Sequence, residues 1–293
     1  MGLFDAFKKK ECSICGGEIG LLGNRKLEDG NMCKNCAAKL SPWFSERRSS
    51  TVEEIKAQLD YREANKEKVA AFRTTRTLGE TTKVLLDEDA GRFMVTSARN
   101  LAEANPDVMD FSDVTGCTLD IDESKREIEY KDKEGNRQSF NPKRYAYSYD
   151  FYIVINVNNP YFNEIRFKLN KSSVDNDEPT LLDGPSAMPR ARTPMSGAAR
   201  PGTPVRPGMP PRAPMGGGRV SNAAEVRASV EYKQYERMGN EIRNALLQVR
   251  KDARASAAAA AAPKQAVTCP WCGATTTPDA SGCCEYCGGA ING

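Results

Sequence analysis

The chain has 293 residues, a formal net charge of +3 and ten cysteines, but no histidine. The length allows more than one domain, and the small net charge predicts no bulk attraction to nucleic acid. The absence of histidine excludes Cys2His2 zinc fingers, Ser-His-Asp and Cys-His nucleophilic systems, and every histidine-ligated catalytic metal site. We therefore expect a protein that is not an enzyme.

Residues 1–10 form an N-terminal tail in which a short apolar part precedes three lysines, the reverse of the order in a signal peptide. No stretch approaches the ~20 apolar residues that span a membrane. We expect a cytoplasmic protein, in which paired cysteines more often bind metal than form disulfides. An alternative role for the tail is peripheral contact with an anionic membrane surface.

Residues 11–48 contain two Cys-x2-Cys pairs separated by seventeen residues. This spacing is typical of one zinc ion bound by four thiolates, here Cys12, Cys15, Cys33 and Cys36. A hairpin turn is predicted at 27–31, and the second cysteine pair runs into a helix. The order predicts a treble-clef-like zinc domain. The alternative is a redox-active dithiol, which would require a lowered thiol pKa and a partner disulfide.

Residues 50–72 form the clearest predicted helix. Ser50 and Thr51 are candidate N-caps, and glutamates follow three residues later. The apolar stripe is interrupted, and the charges from Arg62 to Lys68 predict a solvated face. We interpret this helix as a connector that packs on the next domain.

Residues 78–170 are predicted to be β-rich, with about six to seven antiparallel strands in a sandwich or small barrel. In the longest strand, every second residue from Tyr145 to Val157 is apolar, which indicates a half-buried antiparallel strand. Cys117 is predicted to pack in the core. Tyr145, Tyr147 and Tyr149 are predicted to be core residues, with a base-stacking platform as the alternative.

Residues 171–222 are rich in proline and arginine and contain no acidic residue after Gly184. This composition predicts a disordered linker that serves as a spacer or, alternatively, contacts RNA or a proline-binding partner. Residues 223–262 return to an amphipathic helical pattern. We expect this helix to pack on the β domain and to cap it.

Residues 267–291 contain two further Cys-x2-Cys pairs, separated by eleven residues. Their spacing predicts a zinc ribbon with the ligands Cys269, Cys272, Cys284 and Cys287. Cys283 is an alternative ligand, but Cys284 preserves the spacing to Cys287. Trp271 and Tyr286 are predicted either to shield the metal or to be exposed contact residues.

Three segments of the chain resemble known families. The motif Cys12-Ser13-Ile14-Cys15-Gly16-Gly17-Glu18-Ile19-Gly20, with Cys33-Lys34-Asn35-Cys36 and Leu40-Ser41-Pro42-Trp43-Phe44, resembles a bacterial, chiefly Firmicute, family of domains of unknown function. That resemblance implies zinc at the four N-terminal cysteines and no known activity. The strand order of 78–170 followed by a helix resembles bacterial pleckstrin-homology-like (PH-like) domains, which implies a curved barrel capped by its C-terminal helix. The C-terminal segment resembles the zinc ribbons that many bacterial proteins append for docking.

These observations together predict a multidomain α+β protein with a treble-clef-like zinc domain, an antiparallel PH-like β-barrel with a capping helix, and a C-terminal zinc ribbon. We expect two structural Zn2+ ions and a role as a non-enzymatic scaffold or adaptor that binds other proteins in the bacterial cytoplasm. The first alternative is a nucleic-acid-binding module that uses the zinc ribbons and the Arg-rich linker. The second is a membrane-surface adaptor that uses the tail and the PH-like domain.

Overall fold

The structure, a computed structural model, describes residues 10–20, 22–176, 181–182, 184, 222–261, 266–279 and 281–291. Almost all of the predicted tail at 1–10 and most of the predicted linker at 171–222 lie outside the described residues. The described residues form a mixed α+β protein with two groups of four cysteines. None of the helices described is long and apolar enough to cross a membrane.

The N-terminal unit is built from two small strand pairs and a short helix. β1 (Lys10–Glu11) pairs with β2 (Glu18–Ile19), and β3 (Arg25–Lys26) pairs with β4 (Asn31–Met32). The turn predicted at 27–31 joins β3 to β4, and its Leu27 N–H donates to the Gly30 carbonyl at 2.9 Å. α1 (Lys34–Ala37) follows within the second cysteine pair. The cysteine pairs therefore lie on either side of one hairpin.

The connector helix α2 (Val52–Ala71) belongs to two hydrophobic cores. It starts with a capping box, in which the Thr51 hydroxyl accepts from the Glu54 N–H and the Glu54 carboxylate accepts from the Thr51 N–H. Ile55, near its start, packs in the core of the N-terminal unit. Val69, near its end, packs in a cluster with residues of the β domain. The helix thus connects the two units through apolar contacts at both ends.

The prediction that the charged residues of α2 form a solvated face is wrong at Arg62, because the Arg62 side chain is buried. The Arg62 guanidinium donates to the Asp107 carboxylate at 2.7 Å, and the two side chains are only 7% and 0% exposed. A second guanidinium N–H donates to the Lys39 carbonyl at 3.2 Å. The other Asp107 oxygen accepts from the Ser41 hydroxyl at 2.7 Å. The pair is buried because three segments of the chain meet around it, which the sequence of the helix alone does not reveal.

A second set of buried hydrogen bonds lies one turn further along α2. The Asn65 amide donates to the Asn105 side chain and accepts from the Val108 N–H at 3.0 Å. The Asn105 amide in turn donates to the Arg62 carbonyl at 2.7 Å. We call this network the polar junction; it comprises Lys39, Ser41, Arg62, Asn65 and the segment 105–108. It joins the N-terminal unit, α2 and the β domain with groups that are fully hydrogen-bonded to one another.

The β domain consists of two open four-stranded sheets. The first contains β5 (Arg76–Leu78), β6 (Lys83–Asp87), β7 (Arg92–Thr96) and β8 (Val108–Asp110) in that order, with α3 (Leu101–Ala104) between β7 and β8. The second has the order β11-β10-β9-β12, from β9 (Val114–Lys131), β10 (Arg137–Val157), β11 (Glu164–Lys168) and β12 (Leu181–Leu182). All pairings are antiparallel except that of β12 with β9. The predicted closed barrel is wrong, because no ladder joins the edge strands of the described sheets.

The long strands β9 and β10 replace several shorter strands that the sequence predicted. They form one hairpin, with a register shift between Ser139 and Arg144. The predicted alternation holds from Tyr149 to Val157, where every second residue is buried, whereas Tyr145 and Tyr147 are only half-buried. Cys117 is buried, as predicted, and burial raises the pKa of its thiol to about 12.

The C-terminal helix packs on the second sheet. The predicted helix at 223–262 is divided at Ser229 into α4 (Ala223–Ala228) and α5 (Val230–Ala261). Tyr232 contacts the Phe151 ring edge-on at 4.9 Å between centroids, and Ile242 and Leu246 are fully buried in the same core. Arg227, in the last turn of α4, pairs with Glu123 of β9 at 2.6 Å. Beyond α5, β13 (Val267–Thr268) pairs with β14 (Thr275–Thr276).

We predict that Arg62→Met lowers the free energy of unfolding by about 3–5 kcal/mol, because it leaves the Asp107 carboxylate buried without its cation. Lys66→Ala is the matched control on the same helix. Lys66 pairs with Glu63 at 2.6 Å, but both side chains are more than half exposed, so its loss should change stability by less than about 0.5 kcal/mol. Urea unfolding of the zinc-loaded chain measures both. Equal stability of the two variants would contradict the assignment of Arg62 to a buried ion pair.

Candidate metal centres

The N-terminal site brings together the four predicted cysteines. The sulfur atoms of Cys12, Cys15, Cys33 and Cys36 lie within 4.8 Å of one another, and the Cys15 and Cys33 sulfurs are 3.8 Å apart. Four sulfurs at about 2.3 Å from a central ion lie roughly 3.8 Å apart when the geometry is tetrahedral. A disulfide would need a sulfur–sulfur distance of about 2.05 Å. The spacing therefore suits a zinc ion and not a disulfide.

Local backbone geometry orients the first two ligands. The Cys12 carbonyl accepts from the Gly16 N–H at 2.8 Å, and the Cys12 N–H donates to the Gly17 carbonyl at 2.9 Å. This tight turn places Gly16 at a φ of +70°, in the left-handed region that favours glycine. The Cys-x2-Cys-Gly sequence thus folds into a knuckle whose two sulfurs point to the same side.

The other two ligands are placed by the start of α1. Cys33 is the N-cap of this helix, and its sulfur accepts from the Cys36 N–H at 3.4 Å. The Cys33 N–H donates in turn to the Cys12 sulfur at 3.2 Å. Backbone N–H groups directed at sulfur stabilise thiolates, the form that binds metal. The hairpin and the helix start therefore complete a four-sulfur site.

The surroundings of the N-terminal site favour the thiolate form of Cys12 in the absence of metal. Burial opposes ionisation of Cys12, but hydrogen bonds from the backbone N–H groups of Cys33, Cys15 and Ile14 outweigh it and lower the pKa of the thiol to about 6. Burial and hydrogen bonds to neighbouring sulfurs raise the pKa of Cys36. Zinc binding must displace the protons that remain on the other thiols, so affinity falls as the pH falls.

The C-terminal site consists of two knuckles with the same hydrogen-bond pattern. The Cys269–Cys287 and Cys272–Cys284 sulfur distances are 3.6 and 3.7 Å, and all four sulfurs lie within 4.8 Å of one another. Each knuckle has a glycine directly after its second cysteine, with φ of +73° at Gly273 and +70° at Gly288. Each of these glycines donates its N–H to the carbonyl of the first cysteine of its knuckle, at 2.9 and 2.8 Å.

The C-terminal site also contains one thiol with a lowered pKa, that of Cys269. Its four cysteines do not include Cys283. Burial opposes ionisation of Cys269, but the N–H groups of Cys272 and Trp271 lower the pKa of its thiol to about 7. Cys283 is not part of the four-sulfur group; its sulfur contacts the Ser281 carbonyl at 3.8 Å. The two groups of four cysteines can therefore bind two zinc ions, as the spacing in the sequence predicted.

The two aromatic residues of the second site are exposed and do not shield the metal. Trp271 and Tyr286 are 75% and 73% exposed. Each directly precedes the second cysteine of its knuckle, so the two rings occupy equivalent positions. Of the two roles that the sequence allowed for them, the structure favours that of exposed contact residues.

Residues 10–58 match a protein family described as a domain of unknown function, DUF4428. The match covers the four N-terminal cysteines, the hairpin between them and the first two turns of α2. This segment of the chain is similar to that family, and it is less than half of the chain. No curated protein and no solved structure showed significant similarity to the chain.

Sequence reasoning missed the polar junction, although two of its residues, Lys39 and Ser41, lie within the family match. Ser41 belongs to the matched segment, whereas Arg62 and Asp107 lie beyond it. Arg62 and Asp107 are 45 residues apart. One local signal pointed to burial of Arg62. It lies three residues after Leu59 and four after Gln58, and both of these lie on the packed side of α2. A strict helical projection would have placed Arg62 on that side.

We predict that the zinc-loaded chain binds close to two equivalents of zinc, and that Cys15→Ser and Cys272→Ser each remove close to one. Both variants delete one of four thiolates, which weakens a tetrahedral site greatly. Cys283→Ser is the matched control and should retain two equivalents, because its sulfur is outside the group. Metal analysis after extensive dialysis measures all four proteins. Retention of two equivalents by Cys272→Ser together with a loss in Cys283→Ser would show that the ligands are wrongly assigned.

Proposed function

We propose that this protein is a non-enzymatic, zinc-binding scaffold or adaptor that binds other proteins in the bacterial cytoplasm. In this proposal the N-terminal unit is treble-clef-like, the C-terminal unit is a zinc ribbon, and the β domain with α5 is an open variant of a PH-like fold. Support for the last comes from the order of two largely antiparallel sheets followed by a helix that packs on the second. The two zinc sites give structure to segments with small cores.

The observation that carries the proposal is a groove formed jointly by the N-terminal unit and the β domain. It has a volume of about 570 Å3 and lies between the segment 42–46 and the turn after β10. Trp43 and Tyr161 supply aromatic surface, while Glu46, Asn159 and Arg166 supply polar groups. The lining is more polar than apolar, and a concave surface with two aromatic side chains among polar groups suits a protein partner.

The walls of the groove are fixed by contacts between the units. The Tyr161 ring packs at a tilt against Tyr61 of α2, with 5.0 Å between ring centroids, and lies perpendicular to the Phe44 ring at 6.4 Å. The Asn159 amide donates to the Tyr61 hydroxyl at 2.9 Å. The polar junction holds the same two units together on another side of α2. A groove whose walls are already fixed binds a partner at a low entropic cost.

The two alternatives depend on segments outside the described residues. The nucleic-acid hypothesis uses the zinc units and the Arg-rich linker, and the C-terminal unit adds no positive charge to it, because residues 266–291 contain no lysine or arginine. A salt-dependent shift with nucleic acid that disappears on deletion of 184–222 would favour it. The membrane hypothesis depends on residues 1–10, and flotation of liposomes with and without this tail tests it.

We predict that a photo-reactive amino acid at Ser45, in the groove, cross-links to a protein in cells of the native host. The matched control is the same amino acid at Glu134, which is exposed on the tip of the β9–β10 hairpin. A protein adduct at Ser45 that survives nuclease and is absent at Glu134 supports the scaffold. Adducts with nucleic acid or lipid alone, or equal labelling at both positions, would contradict it.

A further inference from the structure

The C-terminal zinc unit presents a tryptophan whose orientation is fixed although its surface is exposed. The Trp271 Nε1–H donates to the Ala290 carbonyl at 3.2 Å, and the indole lies directly against Gly289. A Cβ atom at Gly289 would come within 2.6 Å of the Trp271 Cδ1 atom. The ring is therefore held in place by the backbone of the opposite knuckle. An exposed aromatic side chain that is already ordered is a low-cost contact surface.

The residues of the C-terminal zinc unit carry a net negative charge. Residues 266–291 include Asp279 and Glu285 but no lysine or arginine. Four thiolates carry more negative charge than one zinc ion neutralises, so a loaded site adds to the acidic character. Tyr286 supplies a second exposed ring beside a ligand of the same site. The unit thus offers two aromatic rings in a negative field, which suits a ligand with cationic and proline residues.

Such a ligand exists in the same chain, between Gly184 and Asn222. The segment 185–221 contains nine prolines and six arginines and no acidic residue. Proline-rich segments dock on exposed aromatic side chains, and arginine adds cation–π and ionic contacts. The charges of the segment and of the zinc unit are therefore complementary.

The length of the segment allows this contact. Residues 223–261 form α4 and α5, and at 1.5 Å per residue they extend for at most about 59 Å. An extended segment of 37 residues measures about 115 Å at 3.1 Å per residue. Since both of its ends are attached near the β domain, its middle reaches about 57 Å, which is about the greatest length of the two helices, so the contact requires an almost fully extended segment. The arginines near the middle, Arg200, Arg206 and Arg212, are therefore those that can meet the C-terminal unit.

We propose that the C-terminal zinc unit is a binding site for the Pro/Arg segment 185–221 of its own chain, with Trp271 and Tyr286 as the contact surface. The contact covers the aromatic pair and neutralises the anionic unit. It does not depend on the proposed scaffold function, because both parts belong to this chain and the groove beside Ser45 is a different surface.

Acrylamide quenching of Trp271 tests the proposal in the full zinc-loaded chain. Trp43→Phe leaves Trp271 as the one tryptophan. This chain is compared with a version in which residues 185–221 are replaced by glycine and serine at equal length. We expect a quenching constant at least about two-fold lower with the natural segment at low salt, rising toward the replaced version at high salt because the contact is ionic.

Two further measurements make the result specific. Gly289→Ala should raise the quenching constant of the natural chain, because it displaces the indole, while bound zinc stays at two equivalents. A synthetic 185–221 peptide added to the replaced chain should restore protection. Equal quenching constants for the natural and replaced chains at low salt would overturn the proposal. Protection that disappears on dilution would overturn the contact within one chain and would point to a second copy.

Discussion

The structure depends on one buried ion pair, Arg62 with Asp107, at the place where three parts of the chain meet. Desolvating two charges costs several kcal/mol per ion, so such a pair is favourable only when its geometry is good and its remaining groups are satisfied. Both conditions hold, because Ser41 and the Lys39 carbonyl complete the hydrogen bonding. The pair therefore joins the N-terminal unit, through α2, to the β domain at a point where neither buried charge is left without a partner.

The metal sites stabilise their own small units, whereas the ion pair joins units to one another. Their units contain strands of only two residues, which cannot form a stable core alone. Thiolate–zinc bonds supply this stability locally, and the polar junction extends it to the β domain through α2. The C-terminal unit follows α5 and keeps its aromatic side chains exposed. The N-terminal unit is thus packed into the fold through α2, whereas the C-terminal unit has two exposed aromatic side chains.

Features encoded within short segments were predictable, and features that depend on distant residues were not. The cysteine spacing predicted both four-sulfur groups, and the Thr51 capping box marked the start of α2. Arg62 was misread because its partner lies in another domain. The barrel was misread because closure depends on whether sheet edges meet, which alternation along β10 does not encode. The full length of β9 was not predicted, because cross-strand pairing with β10 is what keeps its charged stretch extended.

The central claim is that the N-terminal zinc site stabilises the β domain through the polar junction. Hydrogen exchange at the Val108 amide tests it most directly, because this N–H donates to the Asn65 side chain. The account predicts that Cys15→Ser speeds exchange at Val108 about ten-fold or more, whereas Cys272→Ser leaves it unchanged. An unchanged Val108 exchange rate in Cys15→Ser, with the N-terminal zinc gone, would contradict the account.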